Sequence, residues 1–321
     1  MNRSVCRTIL ILLLAGAFAS GHQDLSAQCC SPGNPVAGAS QVGILNPYTL
    51  RTVTYLRTSY SDTYYIKDSK TDRGGSYARY NYIGEILSFG LPLRFTAELE
   101  MGYFLEKMQD SDPSNLHNKT SGLSNGVFTV KYGFLKSPKL YELTGGAGFK
   151  FPFSTKPVTD STGAFYPPEI QPSTGAFGAV GQLFFSKGFL PVQMKIILLN
   201  RFEYNGKNKE DYQFGASLFS SVFVSKTFFR HLVVMLQFRN EYRWKDKQYY
   251  VKEDGQDDFF YMTGTGGDVV YIAPQASWSF PKGWSVSVNF DLPVYRYYNG
   301  EQLTPRAAGG ISVIKDFSFK K

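Results

Sequence analysis

The sequence predicts an all-β chain folded as a transmembrane, antiparallel, up-and-down β-barrel of about 12 strands. Three observations carry that expectation. The composition is rich in rings and glycine, with 27 Phe, 22 Tyr and 31 Gly in 321 residues. Charged residues make up only 19%, below the roughly 25% usual in soluble domains. Polar and apolar residues alternate with period two along many segments, and the connections between those segments alternate between short and long.

The alternation is plainest in residues 190–204, LPVQMKIILLNRFEY. Val192, Met194, Ile196, Leu198, Asn200, Phe202 and Tyr204 form one set, while Gln193, Lys195, Ile197, Leu199, Arg201 and Glu203 form the other. Successive side chains of a strand point to opposite faces, so one face is apolar and the other charged. The same pattern sets Thr96, Glu98, Glu100, Gly102 and Glu106 against Phe95, Ala97, Leu99, Met101, Tyr103 and Leu105. It sets Gln237, Arg239, Glu241, Arg243 and Lys245 against Val234, Leu236, Phe238, Tyr242 and Trp244. Near the end it sets Ser285, Ser287, Asn289 and Asp291 against Trp284, Val286, Val288, Phe290 and Leu292.

About twelve such segments reach the roughly 9–11 residues that a tilted strand needs to cross a bilayer. They cover residues 48–60, 76–90, 94–107, 123–135, 139–153, 174–186, 190–204, 210–226, 230–245, 267–280, 283–298 and 305–319. Short connections such as KSPK and PKG take turns with long polar ones such as STKPVTDSTGAFYPPEIQPSTG. Outer-membrane barrels have this asymmetry, with tight turns toward the periplasm and long loops outside. Several short turns join a Lys to a bulky residue, as in Lys187-Gly188-Phe189 and Lys282-Gly283-Trp284. That pairing suits a membrane interface. Rings at strand ends, among them Tyr103, Phe104, Phe184, Trp244 and Trp278, are expected at the same depth. The long 153–174 loop, with its prolines and rings, is expected to fold into the barrel mouth.

The chain begins with a secretory signal: Arg3 and Arg7, an apolar run over residues 9–15, then small residues. Cleavage after Ala19 or Ala27 fits, so residues 1–27 are read as the signal peptide. Residues 28–46 are read as a periplasmic tail carrying Cys29-Cys30, and residues 47–321 as the barrel. Two adjacent thiols suit a soft metal such as Cu(I), with Cys29 and Cys30 as its ligands. They equally suit a vicinal disulfide or a periplasmic partner at the tail. The net charge of +8 is spread along the chain without a basic block, which excludes a nucleic-acid module.

The charged face of each strand is expected to line the barrel interior. Permeation candidates are Glu98, Glu100, Lys195, Arg201, Glu203, Arg239, Glu241, Arg243 and Asp291, with Glu85, Glu106 and Arg79 among further charged positions. Such residues either select what passes or pair with one another and fill a narrow barrel. A lipid hydrolase needs Ser and His within hydrogen-bond reach. The three histidines, His22, His117 and His231, fall in the tail, an outer loop and an inner turn, so no catalytic residue is assigned and the chain is read as a non-enzyme.

Three stretches, QCCSPGNP (28–35), QPSTGA (171–176) and PVYRYYNGEQLTPRAAGGISV (293–313), together resemble Bacteroidetes-type outer-membrane β-barrel transporter proteins. Those are distantly similar to the outer-membrane family named for the phenol-degradation meta pathway. The resemblance implies an outer-membrane barrel for small or apolar molecules and transfers no catalytic residue. The resulting expectation is passive diffusion of a small-molecule solute through a mixed-charge lumen, with outer-membrane lipid as the surrounding partner. The alternative is a closed structural or surface-interaction barrel acting through its long extracellular loops.

Overall fold

A computed structural model of the protein describes residues 43–71, 76–111, 116–136, 140–160 and 162–319. The signal segment and Cys29-Cys30 lie outside the described residues. The described chain is almost entirely strand: β1 (Thr49–Lys67), β2 (Ser69–Thr71), β3 (Tyr77–Gly90), β4 (Phe95–Ser111), β5 (Leu116–Leu123), β6 (Asn125–Lys136), β7 (Tyr141–Pro152) and β8 (Gly178–Phe189). These are followed by β9 (Met194–Asn205), β10 (Tyr212–Gln213), β11 (Ser217–Phe228), β12 (Leu232–Arg243), β13 (Lys247–Val251), β14 (Asp257–Tyr261), β15 (Gly267–Phe280) and β16 (Trp284–Ser318).

Neighbouring strands pair antiparallel in the order β16-β15-β12-β11-β9-β8-β7-β6-β4-β3-β1, and β16 pairs back onto β1, so the ring closes. Closure leaves no unpaired backbone edge to face hydrocarbon. The 35 residues of β16 form two staves rather than one. Residues 284–298 pair with β15, and residues 302–318 pair with β1. The chain turns back near Gly300, whose φ of 117° favours glycine. The two arms are tied by a Ser287–Ser312 hydroxyl bond of 2.8 Å and by Arg296 Nη2 donating to the Pro305 carbonyl at 2.9 Å. The ring therefore crosses the membrane about 12 times, an even number, as a closed antiparallel barrel requires.

At the end where the strand termini meet, Thr49 pairs with Ser318, and the turns are tight. Three of them are single 3₁₀ turns: Pro92–Arg94, Leu190–Val192 and Pro281–Gly283. Each carries a left-handed non-glycine residue, Leu93 (φ 57°), Gln193 (φ 50°) and Lys282 (φ 62°). Val192 and Gln193, expected within a strand, belong to this turn. A Pro at the first or second position of each turn fixes its entry. At the opposite end lie the 153–177 loop and a small sheet of β10, β13 and β14 outside the ring. Residues 246–266, between the expected strands 230–245 and 267–280, are not plain loop: they form a β13–β14 hairpin with Tyr249 opposite Phe259 and Gln248 opposite Phe260.

The outer wall of the ring is apolar. Leu56, Leu183, Leu236, Phe238, Phe290 and Ile311 are between 38% and 61% exposed. An apolar surface of that extent all round a chain needs lipid against it. Lysines reach over rings at the tight-turn end, Lys187 over Tyr141 at 4.9 Å and Lys315 over Trp284 at 5.0 Å. Trp244 meets Tyr242 and Phe202 edge-on near the other end. These are the positions expected of two interfacial belts.

The faces follow the sequence with informative exceptions. On β9, Leu199, Arg201, Glu203 and Asn205 are buried while Leu198, Asn200, Phe202 and Tyr204 are exposed, as the alternation requires. On β4 the alternation breaks. Asn81 of β3 pairs with Glu106 and Tyr82 with Phe104, so Leu105 is an extra residue. This bulge puts Glu106 on the outer side, with Arg79 at 2.8 Å and Lys119 at 2.9 Å, and turns Lys107 and Gln109 inward. Glu85, a candidate interior acid, also faces outward, where Thr54 Oγ1 donates to its carboxylate at 2.5 Å. Phe104 and Phe184, expected at the interface, are inside the barrel, 1% and 4% exposed.

Candidate functional site

The barrel interior is built in layers. Near the tight-turn end, residues 43–46 lie against the inner wall. Leu45 N donates to Thr96 Oγ1 at 2.9 Å, and Ile44 N donates to Glu142 Oε1 at 3.2 Å. Gly133 of β6 leaves room for Ile44, whose Cδ1 sits where a β-carbon would be. Phe184, Leu199 and Phe223 pack as a buried apolar cluster on β8, β9 and β11.

Rings also enter the interior on β1, β3 and β4, where Tyr55, Tyr82 and Phe104 are buried together. Glycines on the neighbouring strands make this possible. The Tyr55 ring lies over Gly84 and the Tyr82 ring over Gly102, each at a distance that would forbid a β-carbon. Tyr82 and Phe104 meet edge-on with centroids 4.8 Å apart.

The charged residues form two groups at mid-height. In the first, Lys131 Nζ donates to Glu98 at 2.7 Å, and Ser88 Oγ donates to the same carboxylate oxygen at 2.8 Å. Arg201 binds Glu100 through two N–H donors, at 2.5 and 3.1 Å, and reaches Glu203 through Nε at 2.8 Å. Lys150 closes the group on Glu203 at 3.0 Å. Three acids meet three bases, so the group is neutral. Glu100 and Arg201 stand on β4 and β9, which are four places apart around the ring. Their bond is therefore a strut across the lumen and not a neighbour contact on the wall.

In the second group, Asp291 sits between Arg57 and Arg239. It accepts from Arg57 Nη2 and from Arg239 Nη2, the latter at 3.0 Å. Arg239 also pairs with Glu241 at 2.8 Å and lies over the Tyr271 ring at 4.7 Å. Arg243 reaches Glu241 only at 3.9 Å. Both groups are charge-assisted and almost free of solvent, the setting in which removal of one partner is most damaging.

Of the nine interior candidates, Glu98, Glu100, Arg201, Glu203, Arg239 and Asp291 are buried in these networks. Glu241 and Arg243 stand at the upper edge of the second group. Lys195 is at the tight-turn rim, 42% exposed at its side chain and 4.0 Å from Glu142. His231 lies at a tight turn, stacked on Trp278 with centroids 6.3 Å apart.

Above the charged groups the 153–177 loop closes down. Lys107 Nζ donates to the Gln171 carbonyl at 3.0 Å, and Thr120 Oγ1 donates to the Ile170 carbonyl at 2.6 Å. Asn125 Oδ1 accepts from Ser173 Oγ and Thr174 Oγ1, at 2.8 and 3.0 Å. Ile170 and Thr174 are buried. Period-two reading could not find Lys107, because the bulge at Leu105 inverts its face. Glu169, half-buried beside this contact, has its carboxyl pushed up to about 7 by desolvation, with Asp246 adding to the rise and Lys107 opposing it. Asp246, raised by desolvation, accepts from Tyr212 OH at 2.5 Å and from Gly215 N at 2.7 Å.

A closed antiparallel ring with an apolar outer belt and a polar interior defines an outer-membrane β-barrel. Among solved structures, the COG4313 outer-membrane channel from Pseudomonas putida F1 has a similar fold: TM-score 0.65 and 12% identity, with 88% of this chain and 100% of that one covered. The KdgM porin (TM-score 0.44, 9% identity, 83% of this chain and 99% of that one) and the Ralstonia pickettii toluene transporter TbuX (0.43, 8%, 85% and 90%) are more distant barrels. No protein-family model matches the chain, and no curated protein matches it.

Proposed function

We propose that this barrel is an outer-membrane channel for passive passage of small molecules, closed in the described state by its own strut and loop. The observation that carries the reading is the construction of the interior. Acids and bases are matched rather than arranged as a ring of one sign, so the lumen has no strong preference for either ion. A barrel of about 12 strands is wider than the small filled ones and narrower than the 16–18-stranded porins, so side chains alone narrow it without sealing it permanently. The loop above is held by a few hydrogen bonds, two to its backbone carbonyls and two from its Ser173 and Thr174 hydroxyls, contacts that can open without unfolding the ring. The shared fold with a solved outer-membrane channel is consistent with this role.

A second reading is favoured by one specific observation. The Arg201–Glu100 strut joins walls four strands apart across the lumen, which suits a closed barrel that works through its outer loops. Conductance of the refolded, heat-modifiable protein in a planar bilayer separates the two, with an Arg239→Ala/Arg243→Ala variant alongside. The channel reading expects discrete steps whose size or ion preference shifts in the variant. Silence from a folded sample, including a sample of the strut variant Arg201→Ala, would sink it. The Cys29-Cys30 pair remains proposed as a thiol or Cu(I) site of the tail, to be tested by metal titration of the full chain against a Cys29→Ser/Cys30→Ser variant.

A further inference from the structure

On the outer wall of the ring, at its looped end, lies a groove of about 220 Å³. Its floor is made by Phe202 and Tyr204 of β9 and by Trp244 just past β12, all exposed. Its roof is one row of the small sheet. Gln213 stands opposite Lys247, and Lys247 opposite Tyr261, so the three share a face. Gln213 Nε2 donates to Tyr204 OH at 3.0 Å and fixes the corner where roof meets wall. Gly215 and Ala216 also line the groove and, being small, leave it open. We infer that this groove binds one outer-leaflet lipid with an anionic phosphate headgroup, its phosphate at Lys245 and Lys247 and its chains on the wall below.

Charge is the first argument. The charged residues that line the groove are Lys245 and Lys247, both positive. Neither forms an ion pair among the described residues. Other lysines of the outer segments do, Lys207 with Asp211 at 2.8 Å and Lys252 with Asp258 at 2.7 Å. Asp246, between the two groove lysines in sequence, accepts instead from Tyr212 OH and Gly215 N. The Lys247 ammonium lies over Phe259 at 4.3 Å and over Tyr261 at 5.5 Å. Rings attract an ammonium without neutralising it, so its charge is left for an anion. A phosphodiester brings one negative charge and strong acceptor oxygens to two ammonium donors.

Depth is the second argument, and it favours a lipid over a soluble phosphate. Inward from the groove, Asn200, Ser220 and Asn240 form one register row on β9, β11 and β12. Ser220 Oγ donates to Asn200 Oδ1 at 2.7 Å, and Asn240 Nδ2 donates to Asp268 of the neighbouring β15. The next outward row is Leu198, Val222 and Phe238, each exposed. Ammonium, then amide and hydroxyl, then hydrocarbon is the order of phosphate, glycerol ester and acyl chain in a lipid. Amides and hydroxyls on an outer wall are costly against hydrocarbon alone and suit the ester level.

The site lies on the wall and not in the lumen, so it stands whether or not the barrel conducts. It also has a reach inward. The opposite face of the same small sheet carries Tyr212 and Gln248, which stand opposite each other and line the space beside the 153–177 loop. A lipid held at Lys247 therefore braces the sheet from its membrane side.

The test is native mass spectrometry of the full chain in detergent micelles, titrated with phosphatidylglycerol or with phosphatidylcholine of the same chains. The expected result is one saturable phosphatidylglycerol adduct, bound about fivefold or more tighter than the zwitterionic lipid, since a lysine near an anionic headgroup contributes about that factor. Lys245→Gln/Lys247→Gln should weaken phosphatidylglycerol binding by about tenfold or more. Lys70→Gln/Lys209→Gln removes the same charge from exposed positions away from the groove and should leave binding unchanged. Glycerol 3-phosphate at equal concentration should not displace the lipid. Heat-modifiability on a gel checks that each variant is folded. Equal binding of the two lipids, binding unchanged in the folded Lys245/Lys247 variant, or an equal fall in the Lys70/Lys209 variant would each overturn the assignment. Displacement by glycerol 3-phosphate would overturn it too, by making the groove a site for soluble phosphate.

Discussion

The two ends of this barrel are occupied by different parts of the chain. At the tight-turn end, residues 43–46 lie against the inner wall, and strand side chains receive their amides, Thr96 from Leu45 and Glu142 from Ile44. At the outer end a loop is held from below, with Lys107 and Thr120 donating to its carbonyls. Between them, a strut of side chains joins walls four strands apart. Among the described residues the tight-turn end carries no further strands, because its 3₁₀ turns leave little chain there. The 153–177 loop and the small sheet of β10, β13 and β14 sit at the other end. The brace at mid-height and the cover above it thus rest on different residues, and each can be altered separately.

The largest expected effect is on the strut. Arg201→Ala removes one partner of Glu100 and one of Glu203 and leaves two buried carboxylates with one base fewer. Loss of one member of a buried pair costs about 3–5 kcal/mol, so denaturant titration in detergent should show a clear fall in stability, together with larger unit conductance. An unchanged midpoint with unchanged current would show that the strut neither braces nor blocks.

Next comes Asp291→Asn, which leaves Arg57 and Arg239 converging on a neutral group. We expect anion preference in the reversal potential and a smaller loss of stability than in Arg201→Ala, since the asparagine oxygen still accepts one bond. Reversal potentials equal to the wild type would place this group off the path.

The outer loop should respond more gently. Lys107→Met and Thr120→Val each remove one bond to its backbone, worth about 1 kcal/mol, and should increase the open fraction in single-channel records while leaving the unfolding midpoint nearly unchanged. Glu142→Gln at the other end should leave the open fraction as it is, and a shift there equal to that of Lys107→Met would erase the contrast between the two ends.

The same loop should also respond to pH. The Glu169 carboxyl is raised to about 7 from an ordinary 4.5, chiefly by desolvation. The docked loop therefore holds a proton that the released loop gives up between those values. Ionisation imposes no penalty on docking below pH 4.5, a growing one between 4.5 and 7, and its full penalty above about 7. Open probability should rise from pH 5 to pH 8, and Glu169→Gln should flatten that rise. A slope that survives in the variant would assign the titration to another group.

Much of the fold was legible in the sequence. Period two along residues 190–204 places Arg201 and Glu203 inside and Phe202 and Tyr204 outside, and the order of short and long connections separates the tight-turn end from the looped end. A loop in the mouth was legible over 153–174 from its length, prolines and rings, and it runs on to residue 177 before β8 begins. The inward rings were not. Tyr55 and Tyr82 read as ordinary wall residues until Gly84 and Gly102 are known to lie beneath them, since alternation assigns a face but not what that face meets. Glu85 misleads for the opposite reason, because a carboxylate on the outer wall is tolerated beside Thr54. The partners of the charged residues were hidden too. Glu100 and Arg201 are 101 positions apart, and only closure of the ring brings them together.

The extra residue at Leu105 has a consequence beyond its own strand. It acts as a parity switch: below it, even-numbered residues of β4 face inward, and above it, odd-numbered ones do. The strand thus addresses two compartments with one alternating text, first matching Glu98 and Glu100 to the bases of the lumen, then offering Lys107 to the loop overhead. A chain without that offset would keep the same composition and the same number of strands, yet would turn the ammonium that holds the cover toward the outside world.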